Sequence, residues 1–160
     1  MLIIEIIILC AVFFAICFLG TGTDEKNLKS YASYPDEVQK RIREAQEYQG
    51  KFHEANKLVT WFANLVVFLV LFMIFGAFIR EKDFSQNFIN LLILGQALNI
   101  FDLLVIDLLW WRNAKRIRFS KIQEKALYQN PKKHIGAFFR AIPMYIVVAA
   151  VDGYLLTLFK

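Results

Sequence analysis

The sequence predicts an all-α polytopic membrane protein, with four transmembrane helices and an amphipathic cytoplasmic helix before the second. Three observations carry this reading. Hydrophobic residues make up 58% of the 160, against about half in a soluble domain, and the excess must face lipid. They form continuous runs rather than alternating with polar residues, which selects helices over a barrel. The third run closes on Trp110-Trp111-Arg112, where two amphipathic rings precede a cation, as at a bilayer boundary. The formal charge of +5 is then a matter of loop orientation, and nucleic acid is not an expected partner.

The first run, 2–19, is broken only by Glu5 and is long enough to span about 27 Å. A cleaved signal peptide would have a basic start and a small-residue cleavage site; this segment starts acidic and ends in Leu19-Gly20-Thr21-Gly22. It is therefore read as a permanent span. Cys10 and Cys17 lie within it and form neither a disulfide framework nor a zinc spacing; they read as small apolar fillers. Lipidation of Cys17 would require a small residue in the preceding Phe14-Ala15-Ile16 at a place where none suits.

Gly20 to Thr23 reads as a flexible exit into a polar segment, 20–57, whose Asp24 to Lys57 portion has seven Lys or Arg and seven Asp or Glu. Ser33-Tyr34-Pro35-Asp36 has the form of a helix start, with Ser33 as cap. Val38, Ile42, Ala45, Tyr48, Phe52, Ala55 and Val59 then recur at steps of three and four, an apolar stripe on one helix. Glu37/Arg41, Lys40/Glu44, Arg43/Glu47 and Glu47/Lys51 support its exposed face. Gly50 is the expected weak point. The stripe must cover the bilayer surface, the basic loop, or the same helix of a second copy.

The second span, 58–79, leads through a polar turn at Ser85-Gln86-Asn87 into the third, 88–111. Segment 112–136 follows, and Arg112 to Arg140 holds nine Lys or Arg against Glu124 alone. Its interspersed Ile117, Phe119, Ile122, Ala126 and Leu127 suit a segment lying along an anionic leaflet, with Arg112, Lys115, Arg116 and Arg118 at the lipid headgroups. Asn130-Pro131 caps the fourth span, 137–159, in which Pro143 is an expected kink. The two long loops, counted through Arg140, hold sixteen Lys or Arg and the other side only Arg80, Lys82 and Lys160, so both termini are expected outside a plasma membrane.

Each Asp near the middle of a span costs about 2.5–3.5 kcal/mol on the insertion scale, so Asp102 and Asp107 in the third span require partners. Gln96, Asn99 and Asp102 share one drifting stripe of an α-helix. Asp107 lies about 140° around from Asp102 in α-helical winding, which argues against a simple two-aspartate metal box, and no metal site is expected. Asp152 in the fourth span falls at about the depth of Asp102 and Asn99 by helical rise. One midplane site of Asn99, Asp102, Asp152 and Gln96 is therefore expected, against the simpler reading that these groups only hydrogen-bond helices together. Asp107 belongs with the boundary and its basic loop. His53 and His134 read as surface histidines unless the two polar segments fold together.

No nucleotide, metalloprotease, hydrolase or redox motif is present, and no cofactor is implied. The stretch from Gly22-Thr23-Asp24-Glu25-Lys26-Asn27 through Tyr34-Pro35-Asp36-Glu37-Val38, with Asn99-x-x-Asp102 and Asp107-x-x-Trp110, resembles small uncharacterised bacterial four-span integral membrane proteins sometimes labelled transporter permeases. That resemblance covers most of the chain and implies transport in general terms, with no functional residue carried across. Three functions stand: a small homo-oligomeric transporter coupled to ions or protons, a membrane enzyme acting on an anionic lipid, and an accessory subunit of a larger membrane complex.

Overall fold

The computed structural model describes residues 1–54 and 56–158. Among these the chain is helical, without strands beyond one isolated bridge between Phe119 and Ile122. The helices are α1 (Leu2–Leu19), α2 (Asp24–Lys29), α3 (Asp36–Glu44), α4 (Lys57–Phe78), α5 (Phe84–Phe101), continued as a π-helix over Asp102–Trp111, and α6 (Lys132–Leu158). Four are long and apolar enough to cross a membrane: α1, α4, α5 with its π-helical continuation, and α6. Pro143 falls inside α6 without ending it. One position of the expected stripe, Ala55, and the end of the expected fourth span, Phe159, lie outside the described residues, as does Lys160.

The chain divides into two compact units. One contains Met1–Val12, Asn56–Phe101 and the chain from Phe138 onward. Its core is built from Phe72, Leu91, Leu94, Leu98, Tyr145 and Val148, and the rings of Phe72 and Tyr145 stack at 5.5 Å. Helices approach closely at single glycines: a Cβ on Gly95 would lie 2.9 Å from the Phe72 ring and 3.0 Å from Tyr145, and one on Gly153 3.1 Å from the backbone N of Phe88. Small residues at such contacts supply the van der Waals packing that holds helices together where lipid removes the hydrophobic drive.

The connection between α4 and α5 lies earlier than expected. Ser85, Gln86 and Asn87 are helical, because Asp83 accepts a hydrogen bond from the Gln86 N–H at 3.1 Å and so caps α5. Buried Asn87 then secures the turn, accepting from the Glu81 N–H at 2.7 Å and donating to the Glu81 carbonyl at 2.9 Å.

The other unit comprises Phe13 to Glu54 and Asp102–Ala137. It has an aromatic core: Tyr31, Tyr34, Val38, Ile42 and Tyr48 from one segment, and Trp111, Ile117, Phe119, Ile122 and Tyr128 from the other. Tyr34 is central, with its ring 5.0 Å from Phe119 and 5.2 Å from Trp111 and its hydroxyl donating to the Ile117 carbonyl at 2.8 Å. Burying each such side chain contributes roughly 1.5–3 kcal/mol. The exposed ion pairs Lys40–Glu44 and Lys121–Glu47, at 3.9 and 3.6 Å, contribute about 0–1 kcal/mol each, so the core decides the fold.

This core corrects three expectations. Ser33 does not cap the amphipathic helix; it ends a 3-10 turn, and Pro35 occupies the cap position of α3. Proline there presents its carbonyl to Gln39 N–H at 3.0 Å while lacking only an N–H that no helix start needs. The helix stops at Glu44, with Ala45 extended at φ −78° and ψ 118°, well before Gly50. Tyr48, beyond the break, still lies in the core. Ile117, Phe119 and Ile122 point into the same core rather than along a leaflet, so of the three surfaces open to the stripe, Val38 and Ile42 take the basic loop.

The segment read as a flexible exit is a built turn. Gly22 has φ +111°, a conformation glycine adopts without penalty, and a Cβ there would meet the Arg116 guanidinium at 2.7 Å. Arg116 donates to the Thr21 hydroxyl at 3.0 Å and carbonyl at 2.9 Å and lies 3.7 Å over the Phe18 ring.

Asp24 fastens the far side of this unit. It accepts from the Ser120 N–H at 2.9 Å, from the Ser120 hydroxyl, and from the Tyr48 hydroxyl at 2.8 Å. Burial opposes its ionisation, but these hydrogen bonds and the Lys121 charge outweigh it and hold the carboxyl below its ordinary range. A depressed folded-state value means the contribution is complete above the ordinary 3.8 and is lost as pH falls through the lower folded value. Thermal unfolding in detergent should accordingly show stability falling below about pH 4, with a shallower fall and a lower neutral-pH midpoint for Asp24→Asn; an unchanged pH slope in that variant would remove Asp24 from the account.

Candidate functional site

The third apolar segment changes its winding at Asp102. From there to Trp111 the backbone is a π-helix, and Arg112 N–H donates to the Asp107 carbonyl at 3.4 Å, a spacing of five residues instead of four. With roughly 4.4 residues per turn, each residue advances about 80°, so positions five apart differ by only about 50°. In place of the separation of about 140° expected in α-helical winding, the two carboxylates share a face. Asp102 is half-buried.

His134 is the residue that changes most between sequence and structure. It is buried, with its Nδ1 2.8 Å from Asp107 Oδ1 and only 7% and 13% of the two side chains exposed. A carboxylate carries no proton to give, so Nδ1–H donates, and Nε2 is left as the nitrogen able to take up or release a proton. The Trp111 ring packs against the imidazole at 5.8 Å, edge to face. His134 reaches this position because Asn130 and Pro131 start α6: Asn130 Oδ1 accepts from Lys132 N–H at 3.1 Å and the Pro131 carbonyl from Ile135 N–H at 2.9 Å. His53, by contrast, is exposed. The folding together of the two polar segments has thus buried one histidine and not the other.

The basic residues separate in role. Arg116 is committed internally to Thr21 and Phe18, and Lys133 pairs with Asp36 at 2.9 Å. That pairing, with the Lys133 hydrogen bond first, holds the Asp36 carboxyl below its usual range. Lys115 is exposed, and Arg112 and Arg118 are half-buried.

In the other unit, Asn99 is buried and its amide donates to the Phe138 carbonyl at 3.2 Å, a link between helix segments. Gln96 is half-buried. Asp152 is 1% exposed, and its Oδ2 has no hydrogen-bond partner among the described residues. Glu5, which the sequence registers only as a break in an apolar run, is buried as well. Both cysteines are free thiols, and among the described residues no three His, Cys, Asp or Glu converge as a metal-holding group.

No protein-family model, curated protein or solved structure matches the chain.

The buried His134–Asp107 contact makes a direct prediction. Asp107→Leu leaves a buried imidazole N–H unpaired and should lower stability by about 1–3 kcal/mol, whereas Asp107→Asn, which retains an acceptor oxygen, should lose less. Thermal melts of purified protein in detergent distinguish the two, and equal losses would mean that side-chain volume alone matters at this position.

Proposed function

We propose that the chain is a small oligomeric membrane transporter coupled to protons, and that Asp102, Asp107 and His134 handle the proton. The observation that carries this is the buried contact of His134 Nδ1 with Asp107 Oδ1 at 2.8 Å, one π-helical step from Asp102. Ionisable groups inside membrane segments are expensive, and chains of Asp and His there serve as proton relays. A proton taken by His134 Nε2 can leave through Nδ1 to Asp107, and Asp102 offers the next carboxylate on the same face. Four spans are few to enclose a path for a solute, which supports a homo-oligomer.

We further propose that both polar segments face the cytoplasm, since the sixteen Lys or Arg they hold when counted through Arg140 satisfy the positive-inside rule, and that both termini lie outside. A reporter fused after Lys160 should be active only outside, and a cytoplasmic reporter would reverse the assignment.

The proton reading is tested in proteoliposomes under a potassium diffusion potential set by valinomycin, with a pH-sensitive dye inside. Proton flux should exceed that of empty liposomes, and Asp102→Asn and His134→Gln should each reduce it by about tenfold or more, as removal of a relay member does. Flux equal to empty liposomes, or unaffected by either substitution, would end this reading.

A second reading is favoured by one observation: the same histidine stands beside a segment with nine Lys or Arg, the arrangement of an acid–base group and anion clamp for attack on a lipid phosphate ester. Turnover of an anionic lipid that His134→Gln abolishes would support it in place of transport.

A further inference from the structure

Four buried side-chain polar atoms among the described residues have no hydrogen-bond partner, and three of them are N–H donors placed around one turn: Trp111 Nε1, Arg112 Nε and Arg118 Nε. Unsatisfied buried donors are uncommon and call for an acceptor. Two of these three carry positive charge, so the acceptor that fits is an anion.

The turn that carries them is well defined. The π-helix ends with Asn113 and Ala114 N–H groups bonded to the Trp110 carbonyl at 3.1 and 2.8 Å. The chain then makes a 3-10 turn over Lys115–Ile117, and Tyr34 holds the two sides together through its ring contact with Trp111 and its hydrogen bond to the Ile117 carbonyl. Gln129 donates to the Arg112 carbonyl at 2.6 Å, and Arg118 Nη2 reaches the Asn113 carbonyl at 3.5 Å. Trp111 is 7% exposed, so its indole N–H is no solvent-facing group.

We infer that Trp111, Arg112 and Arg118 form a binding site for a phosphate group, the source being an anionic phospholipid headgroup or free phosphate. A tetrahedral phosphate presents several oxygens to donors arriving from different directions, and guanidinium is suited to it. The position at the tryptophan end of an apolar helix is where headgroup phosphates lie. The site does not depend on the proton reading: none of its three residues belongs to the Asp102–Asp107–His134 group.

The test is native mass spectrometry of the full chain released from detergent micelles with added dioleoyl phosphatidylglycerol, dioleoyl phosphatidylcholine or inorganic phosphate. The expected result is preferential retention of phosphatidylglycerol over phosphatidylcholine. Trp111→Phe, which removes only the indole N–H, and Arg118→Lys, which keeps the charge but not the Nε–H, should each weaken retention by about tenfold, the effect of losing one charge-assisted hydrogen bond. Lys125→Gln should leave it unchanged. Binding of inorganic phosphate with the same variant pattern, and no preference among lipids, assigns the source to free phosphate and keeps the site. Retention of neither ligand, wild-type retention in both variants, or equal loss in Lys125→Gln would overturn the proposal, the last by showing diffuse charge attraction. Melting temperatures are compared alongside, and Arg112→Lys supplies the same readout if either variant is unfolded.

Discussion

A backbone hydrogen bond that spans five residues instead of four sets the geometry on which the candidate site depends. In α-helical winding, Asp102 and Asp107 would lie on different sides of the helix and need separate partners. The π-helical winding from Asp102 to Trp111 brings them to one face, and a single imidazole from the start of α6 meets Asp107 there, one π-helical turn from Asp102. A carboxylate removed from water without a partner is costly enough to disfavour its ionised form. The winding thus concentrates two expensive groups on one face, beside one histidine, and π-helical turns are frequent at functional sites.

The polar unit explains how His134 comes to be buried. Its aromatic core draws on both long polar segments, with Tyr34 and Tyr48 from one and Phe119 and Tyr128 from the other. Polar anchors then fix the edges: Asp24 on Ser120, Arg116 on Thr21, Asn27 on the Arg116 carbonyl. Cations that appear equivalent in composition are divided by this packing. Arg116 becomes part of the scaffold, Lys133 an ion-pair partner, and Arg112 and Arg118 keep buried donors without protein acceptors.

In the apolar unit, packing rests on close approach. No span contains two glycines at a spacing of four, yet Gly76, Gly95 and Gly153 each meet a neighbouring helix within about van der Waals distance of a hypothetical Cβ. Asn99 and Asn87 satisfy backbone carbonyls at helix crossings and turns, the bland role open to any polar residue in such surroundings. Asp152 differs, being buried with an oxygen that no described residue satisfies.

The amino-acid sequence by itself determined the four apolar helices, because run length and hydrophobicity are local properties that need no tertiary information. It likewise determined the Asn130-Pro131 start of α6 and the division of Lys and Arg between loops. It did not reveal where α3 ends, since the apolar steps of three and four continue past Ala45, where the backbone turns extended. Nor did it reveal the face shared by Asp102 and Asp107, because the angle between two residues depends on the winding, and no residue in DLLVIDLLWW signals a change from four to five. The burial of His134 was decided by tertiary structure alone: a histidine following Lys132-Lys133 has the local character of a surface residue, and only the packing of α6 against the π-helix gives it a carboxylate and removes it from water.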